Sequence, residues 1–352
     1  MGVTMKDIAR DLGVSVVTVS KVLRKHSDIS PQTRERVLRR MKELNYQPNQ
    51  AARSLVTGRS YAMGLIVPDL EHPFFGEIAK AISRRIRLKD YSLIIASSEE
   101  DPVIERREIE GLMARQVDAI VLASVQTSAQ SAVFQRLAQS LVPYVLIDRN
   151  FPGLAANYVG VNDTAVGRAA TEHLIARGCR RIAHLRGPEV STGIGRLQGY
   201  RETLTRAGME VPLDYVVDLK SGDDWSEERG YEGMTRLLAL KNTPDGVFCY
   251  NDEVAIGALR AILEAGMRIP ADIAVIGVDN IRFADLLRVP LSSVDQNSYQ
   301  IGERAAQLAL KLIESKAAPP RQIILPIRLI ARESTAADTV PGRRAPTQQT
   351  AK

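Results

Sequence analysis

Two cysteines, four histidines and one tryptophan are few for a chain of 352 residues. Cys179 and Cys249 lie far apart in apolar surroundings, so they make neither a disulfide framework nor a metal spacing. That usage fits a reducing cytoplasm. His26, His72, His173 and His184 also show no metal spacing. No Gly-x-Ser-x-Gly elbow is present, and the Gly-rich stretch 187–195 lacks the Gly-Lys-Ser/Thr of a phosphate-cradling loop. These absences argue against an enzyme, and no catalytic residue, metal or cofactor is expected. No apolar run reaches membrane-spanning length. Lys6, Asp7, Arg10 and Asp11 interrupt any signal-peptide core, so a membrane partner is not expected.

Hydrophobic residues make up 45% of the chain and charged ones 25%, the balance of a globular protein of about two or three domains. Charge is unevenly spread. Residues 1–60 hold 12 Lys/Arg against 5 Asp/Glu, and the remainder holds 35 against 36, so the net +6 sits in the first sixth. A small domain this basic suits a polyanion. The same stretch reads as a helix-turn-helix. Met5–Leu12 is a short amphipathic helix, with Thr4 and Asp7 spaced as a capping box. Gly13 supplies a left-handed turn, and Ser15 is placed to cap a second helix. Ile8, Leu12, Val14, Val19 and Val22 fall on inward faces. Val16, Val17, Ser20 and Lys21 are left facing outward. Two exposed valines are unusual on a surface but suit a DNA major groove, where a valine can rest on a thymine methyl.

Ser30 and Pro31 open a third helix, running to about Leu44, with Val37, Leu38, Met41 and Leu44 as its buried stripe. The loop 24–29 can touch phosphates, and His26 in it is expected to be solvated. Then follows Asn45-Tyr46-Gln47-Pro48-Asn49-Gln50-Ala51-Ala52-Arg53-Ser54-Leu55. Asn49 can cap a short helix, and an exposed leucine beside an arginine suits a minor-groove wedge. In order, TMKDIARDLGVSVVTVSKVL and SPQTRERVLRRMKELNYQPNQAARSL resemble the headpiece of the lactose-repressor (LacI/GalR) family over residues 4–58. The resemblance implies a hinge helix on operator DNA, with Leu55 of each subunit wedged into the central minor groove. It also implies a DNA-contacting set of Thr4, Ser15, Val16, Val17, Thr18, Ser20, Lys21, Arg24, Thr33, Tyr46, Asn49, Ala52 and Leu55.

From Tyr61 strands alternate with helices, which argues for parallel sheets covered on both faces. One series runs to Gly160. A second follows, and a long helix (299–315) and one strand (323–330) close the chain. Two α/β lobes with a cleft between them are expected. This resembles the type I periplasmic-binding-protein core of the same family, in which three chain crossings join the lobes. The resulting fold is α/β, an N-terminal helix-turn-helix headpiece plus a two-lobed core with parallel sheets. The expected divisions are a DNA-binding domain at 1–47, a hinge and linker at 48–60 and a core at 61–333. Lobe 1 takes about 61–160 and 291–320, lobe 2 about 161–290 and 321–333. The polar tail 334–352 reads as disordered. It has no leucine heptad, so a coiled-coil tetramer is not expected.

Open α/β sheets bind ligands beyond the carboxyl ends of their strands. Those ends carry Asp69 with Phe74 and Phe75, Asp148 with Arg149, Arg196 after a Gly-rich loop, Asn251 with Asp252, and Asp279 with Asn280. Trp225 sits in a polar loop. Aromatic faces, carboxylates, an arginine and an amide are the chemistry of sugar binding. Taken singly, Asp163 and Asp252 read as helix N-caps. The resemblance implies effector contacts at Asp69, Phe74, Phe75, Asp148, Arg196, Trp225, Asn251, Asp279 and Gln296. Purine-sensing relatives carry an arginine in the loop before Arg196, where this chain has Val190. That leaves sugars or sugar derivatives ahead. The expected protein is a cytoplasmic, homodimeric transcriptional repressor on palindromic double-stranded operator DNA, switched by a small carbohydrate-like effector. A transport solute-binding protein is the alternative, opposed by the DNA headpiece.

Overall fold

The computed structural model describes residues 3–23, 26–46, 54, 57–219, 227–315 and 319–336. The chain forms two compact units, Met1–Ser60 and Tyr61–Lys352. In the first, α1 (Met5–Leu12), α2 (Val16–Leu23) and α3 (Pro31–Glu43) enclose Ile8, Ala9, Val19, Val22, Val37 and Met41. The capping box is formed: Thr4 Oγ1 accepts from the Asp7 amide at 3.3 Å, and Asp7 Oδ2 accepts from the Thr4 amide at 3.0 Å. Gly13 adopts φ 65°, where a Cβ would be strained. Leu38 departs from the expected stripe and is 49% exposed. Val37 already occupies the inward line with Met41 and Leu44, and one residue further round the helix turns about 100° away. Arg40 reaches across to Asp11 at 2.7 Å, and Arg36 donates to the Leu12 carbonyl at 3.2 Å, so part of α3's cationic face ties the bundle together.

The second unit holds two six-stranded sheets. The first is ordered β11-β5-β4-β3-β1-β2, from β1 (Ala62–Val67), β2 (Ser92–Ser97), β3 (Ala119–Leu122), β4 (Tyr144–Ile147), β5 (Asn157–Gly160) and β11 (Gln322–Ile324). All its pairings are parallel. Alternate residues serve opposite faces. Met63, Leu65 and Val67 pack beneath α4 (Pro73–Arg87) and α11 (Ser298–Glu314). Ile66 packs with α5 (Pro102–Ala114) and α6 (Ala132–Gln139). The second sheet is ordered β12-β10-β9-β8-β6-β7. Its strands are β6 (Ile182–Arg186), β7 (Val216–Asp218), β8 (Gly246–Cys249), β9 (Ala274–Val278), β10 (Ser292–Asp295) and β12 (Arg328–Ile330). Helices α7 (Asp163–Ala176) and α8 (Ser191–Arg206) cover one face, and α9 (Glu227–Leu238) and α10 (Asp252–Glu264) the other.

Three connections join the lobes: β5 to α7, β10 to α11, and β11 to β12. The lobe boundaries expected near 291 and 321 therefore move. Ser292–Asp295 belongs to the second sheet, and Gln322–Ile324 to the first. The single strand expected over 323–330 is two strands in different sheets. The only antiparallel pairing among the described strands is β10 with β12. The expected start of the tail also moves. Ser334 and Thr335 are buried, and Ser334 Oγ donates to the Val275 carbonyl at 2.6 Å. The Gly-rich stretch expected to be a loop up to Gly195 is already helix from Ser191. Its glycines allow close packing: a Cβ at Gly193 would lie 2.0 Å from the Pro188 carbonyl oxygen.

His184 shows how strongly the second core desolvates its contents. Its ring stacks on Phe248 at 4.4 Å, and Nδ1 meets the Phe248 carbonyl at 2.9 Å. Burial pushes the imidazole down to about 3 from 6.5. A lowered imidazole means that the unfolded chain binds the proton first. Its contribution is complete above about 6.5 and is lost as pH falls toward the folded value. His184→Phe should therefore close its stability gap to the parent by roughly 2 kcal/mol between pH 7 and pH 5, from ~1.4 kcal/mol per pH unit. Denaturant titrations at both pH values check this. A gap that does not change with pH would mean that His184 titrates in the folded protein as it does in the unfolded chain.

Candidate functional site

In the headpiece, Ser15 Oγ accepts from the Thr18 amide at 3.0 Å and fixes the start of α2. Val16 and Val17 are 38% and 63% exposed, side by side on its first turn. Lys21 pairs with Asp28 at 2.5 Å, an exposed ion pair that water and salt screen and that is easily exchanged for another anion. Thr4 and Ser15 are exposed helix caps, and Thr18 and Ser20 are half-exposed on α2. Thr33 closes the Ser30 cap at the start of α3, and Tyr46 is half-buried just beyond it. Arg24, Asn49, Ala52 and Leu55 lie outside the described residues, as does Trp225.

In the core, the carboxyl ends of both sheets face one cavity. It is lined by Asp69, Phe74, Phe75 and Asp148 from the first lobe, and by Arg196, Asn251 and Asp279 from the second. Gln296, on the connection from β10 to α11, completes it. His72, Glu100, Arg149, Pro188 and Tyr250 also line it. Pro73 at the first helical position makes His72 the N-cap of α4, and Phe74 and Phe75 meet edge to face at 5.2 Å. Asp148 follows β4 with φ 60°, and Asp279 follows β9 with φ 107°. Two non-glycine residues held in such conformations at strand ends are a mark of functional sites.

Arg196 is the hub on the second lobe. Nε donates to Asp163 at 3.1 Å, Nη1 donates to the Tyr250 carbonyl at 2.8 Å, and the guanidinium lies 4.7 Å from the centre of the Tyr250 ring. Burial opposes its charge, but Asp163, Tyr250, Asp279 and Asp148 outweigh that and hold it above its ordinary value. Burial pushes Asp163 up to about 7 against the pull of Arg196. Burial also raises Asp148 and, more strongly, Asp279. On the first lobe Arg149 grips Glu100 with two bonds, of 2.9 and 2.5 Å. Gln296 Nε2 donates to Asp279 at 2.5 Å, while its buried Oε1 and the Nε of Arg149 have no hydrogen-bond partner among the described residues, Arg149 Nε lying 3.9 Å from Asp148 Oδ2. These groups offer acceptors, donors and aromatic faces inside one cleft. No cluster of three or more His, Cys, Asp or Glu residues among those described could hold a metal.

Asp163 and Asp252 do not cap their helices. Asn162 and Asn251 do, one residue earlier, accepting from Ala165 at 3.1 Å and Val254 at 2.9 Å. That frees Asp163 for Arg196, and Asp252 for the Ile281 amide and the Ser293 hydroxyl. Sequence reasoning also missed His72, Glu100 and Tyr250 as cleft residues, although Arg149, which Glu100 holds, was among the strand-end candidates. His72 directly precedes a proline at a helix start, a position that marks an N-cap. Tyr250 directly precedes Asn251, already singled out at a strand end.

Residues 4–49 match the lacI family of bacterial regulatory proteins, and residues 171–335 match the periplasmic binding protein-like domain. The ribose operon repressor of Halalkalibacterium halodurans is 33% identical over 337 residues, covering 94% of this chain and 97% of the repressor. This chain belongs to the lacI family. It is a DNA-binding transcriptional regulator with an effector-binding core, not an enzyme. The lac repressor dimer bound to operator and an anti-inducer superposes with a TM-score of 0.84 at 29% identity, covering 96% of this chain and all of that one. The CelR–cellobiose complex superposes with a TM-score of 0.71 at 31% identity, covering 94% and 99% of the two chains. Among the described residues, no helix is long and apolar enough to cross a membrane.

Proposed function

We propose that this lacI-family chain is a homodimeric repressor whose affinity for a palindromic operator is set by a hydroxyl-rich effector, a sugar or sugar derivative, between the core lobes. The observation that carries this is the shared lining of the cleft, with Asp69, Phe75 and Asp148 from one lobe and Arg196, Asn251 and Asp279 from the other. Carboxylates accept hydroxyl protons, arginine and amide donate to hydroxyl oxygens, and phenyl faces take the C–H side of a sugar ring. A ligand held by both lobes favours one lobe arrangement over another. Only that difference in affinity can alter DNA binding. The relatives named above include a ribose operon repressor and a regulator complexed with cellobiose, which agrees with this chemistry. Sequencing genomic fragments captured by the full-length protein, with and without pentoses, hexoses and disaccharides, tests the reading. Captured sites that no carbohydrate alters would sink it.

On DNA, Val16 and Val17 are assigned to thymine methyls and Lys21 to a guanine or a phosphate. Val17→Gln should change which half-site is preferred, by ~1–3 kcal/mol between the old and new base, rather than weaken all sites alike. Selection from random-sequence DNA checks this, and an unchanged preferred site would remove Val17 from the reading face. Arg24, Asn49, Ala52 and Leu55 are assigned to DNA as well, with Leu55 as the minor-groove wedge.

A further inference from the structure

His72 belongs to the first lobe, but its Nε2 points at the second. It lies 3.0 Å from Asn251 Nδ2, 3.6 Å from Glu253 Oε2 and 3.7 Å from Asp279 Oδ2. The ring is wedged edge-on against Phe74 at 6.2 Å and Phe75 at 5.6 Å. Its other nitrogen, Nδ1, accepts from the Phe74 amide at 3.3 Å, which is the N-cap bond of α4.

These contacts cannot all be hydrogen bonds at once. Phe74 presents an N–H, so Nδ1 must be bare. Asn251 presents its amide nitrogen, because its Oδ1 is committed to the Val254 amide as the cap of α10. Nε2 would therefore have to be bare as well. A neutral imidazole has one bare nitrogen and one N–H. The doubly protonated ring is no escape, since it would turn an N–H toward both donors. Burial and the charges of Arg196 and Arg149 also push the ring down to about 3. With Nδ1 bare for the cap, the Nε2–H faces the Asn251 N–H, donor against donor. Both carboxylates are too far away to accept it well.

An oxygen inserted at this point removes the conflict. A hydroxyl oxygen has two lone pairs, one for His72 Nε2–H and one for Asn251 Nδ2–H, and its proton can go to Asp279 or Glu253. A carbonyl would accept but not donate, an ammonium would donate but not accept, and a deoxy carbon would do neither. We propose that His72 is a specificity-determining residue for the effector, its Nε2–H joining the Asn251 amide and a neighbouring carboxylate to select one free hydroxyl group. The assignment rests on the reading of the cleft as a site for a hydroxyl-rich molecule. The effector then gains from the hydroxyl bonds and also from ending an unfavourable contact between the lobes.

Two arms separate this assignment from the reading beneath it. In full-length protein with 15N-labelled histidines, of which there are only four, His72 without ligand should carry its proton on Nε2 and none on Nδ1. A proton on Nδ1 would mean that Asn251 already makes an ordinary bond to Nε2, and would overturn the assignment. The second arm is calorimetry with D-ribose, D-glucose and cellobiose, and with the monodeoxy derivatives of whichever binds. His72→Asn keeps an acceptor for the Phe74 amide, so the helix cap and the fold survive, but it cannot reach Asn251. It should weaken the parent sugar about tenfold, the loss of one good hydrogen bond. One deoxy derivative should lose about as much on the parent protein and little more on His72→Asn. Parent-like affinity in His72→Asn, or equal deoxy losses on both proteins, would refute a role for His72. Failure of all three sugars would count against the carbohydrate reading, and the tautomer would then decide the His72 assignment by itself.

Discussion

Arg196→Ala should cost the core about 3–5 kcal/mol and abolish effector binding, because it strips a cation from a buried pair. Asp163 is 6% exposed and faces Arg196 at 3.1 Å. Without the guanidinium, a buried carboxylate loses the cation that neutralises it. It responds by holding a proton, so the deficit should depend on pH. Burial has already raised Asp163 to about 7 from 3.8 with Arg196 in place, and losing Arg196 raises it further. A carboxyl raised in the folded state binds a proton that the unfolded chain has released. Stability is then complete below about 3.8 and is lost as pH rises toward the folded value. The gap between the parent and Arg196→Ala should thus widen from pH 5.5 to pH 8. Adding Asp163→Asn should recover most of the loss at pH 8 without restoring effector binding, since Arg196 also anchors the Tyr250 carbonyl and ring. Denaturant unfolding at the two pH values, with calorimetry against bound sugars, separates the two effects. A loss below 1 kcal/mol at pH 8 would mean that the pair does not exist in solution.

The alternating strands and helices, the capping box and the strand-end aspartates were legible because each is a local pattern with one physical meaning. Asp148 and Asp279 could be placed at strand ends from hydrophobic periodicity alone, and Arg196 near the start of the helix that follows a strand. The cross-lobe partners were not legible. That Asp163 serves Arg196 depends on Asn162 taking the cap one residue earlier, and both residues are good caps on paper. Splitting 323–330 between two sheets needed knowledge of where the lobes meet, because Ile323 and Ile330 both carry the signal of one continuous strand. The spacing of His72 from the other histidines bears only on metal binding. The importance of His72 comes from Asn251, 179 residues away. The Gly-rich stretch before Arg196 looked like a loop because glycine is common in turns, whereas here it lets two helices approach closely.

That close approach carries the second large effect. Gly167 lies on α7, one turn after Asp163, and a Cβ added there would sit 2.0 Å from the backbone oxygen of Arg196 on α8. Real Cβ contacts do not come under 3.0 Å, so the two backbones must part by at least about 1 Å (3.0 less 2.0). The obstacle is a helix backbone, which cannot turn aside as a side chain can. Gly167→Ala gains up to ~1 kcal/mol of helix propensity, while overpacking costs typically ~1–3 kcal/mol, here toward the upper end. Gly167→Val adds two methyls to the same conflict and gives up the propensity gain, so a net loss of about 3 kcal/mol is expected. Both variants should also weaken the effector, though Gly167 does not line the cavity, because parting α7 from α8 stretches the Asp163–Arg196 pair and moves Arg196 relative to Asp279. Gly76→Ala is the matched control, at an exposed helical glycine with nothing within 4 Å of the new Cβ. It should be neutral or slightly stabilising. If Gly167→Ala unfolds at the same denaturant concentration as Gly76→Ala and binds the effector as the parent does, α7 and α8 are not as close in solution as their glycines allow.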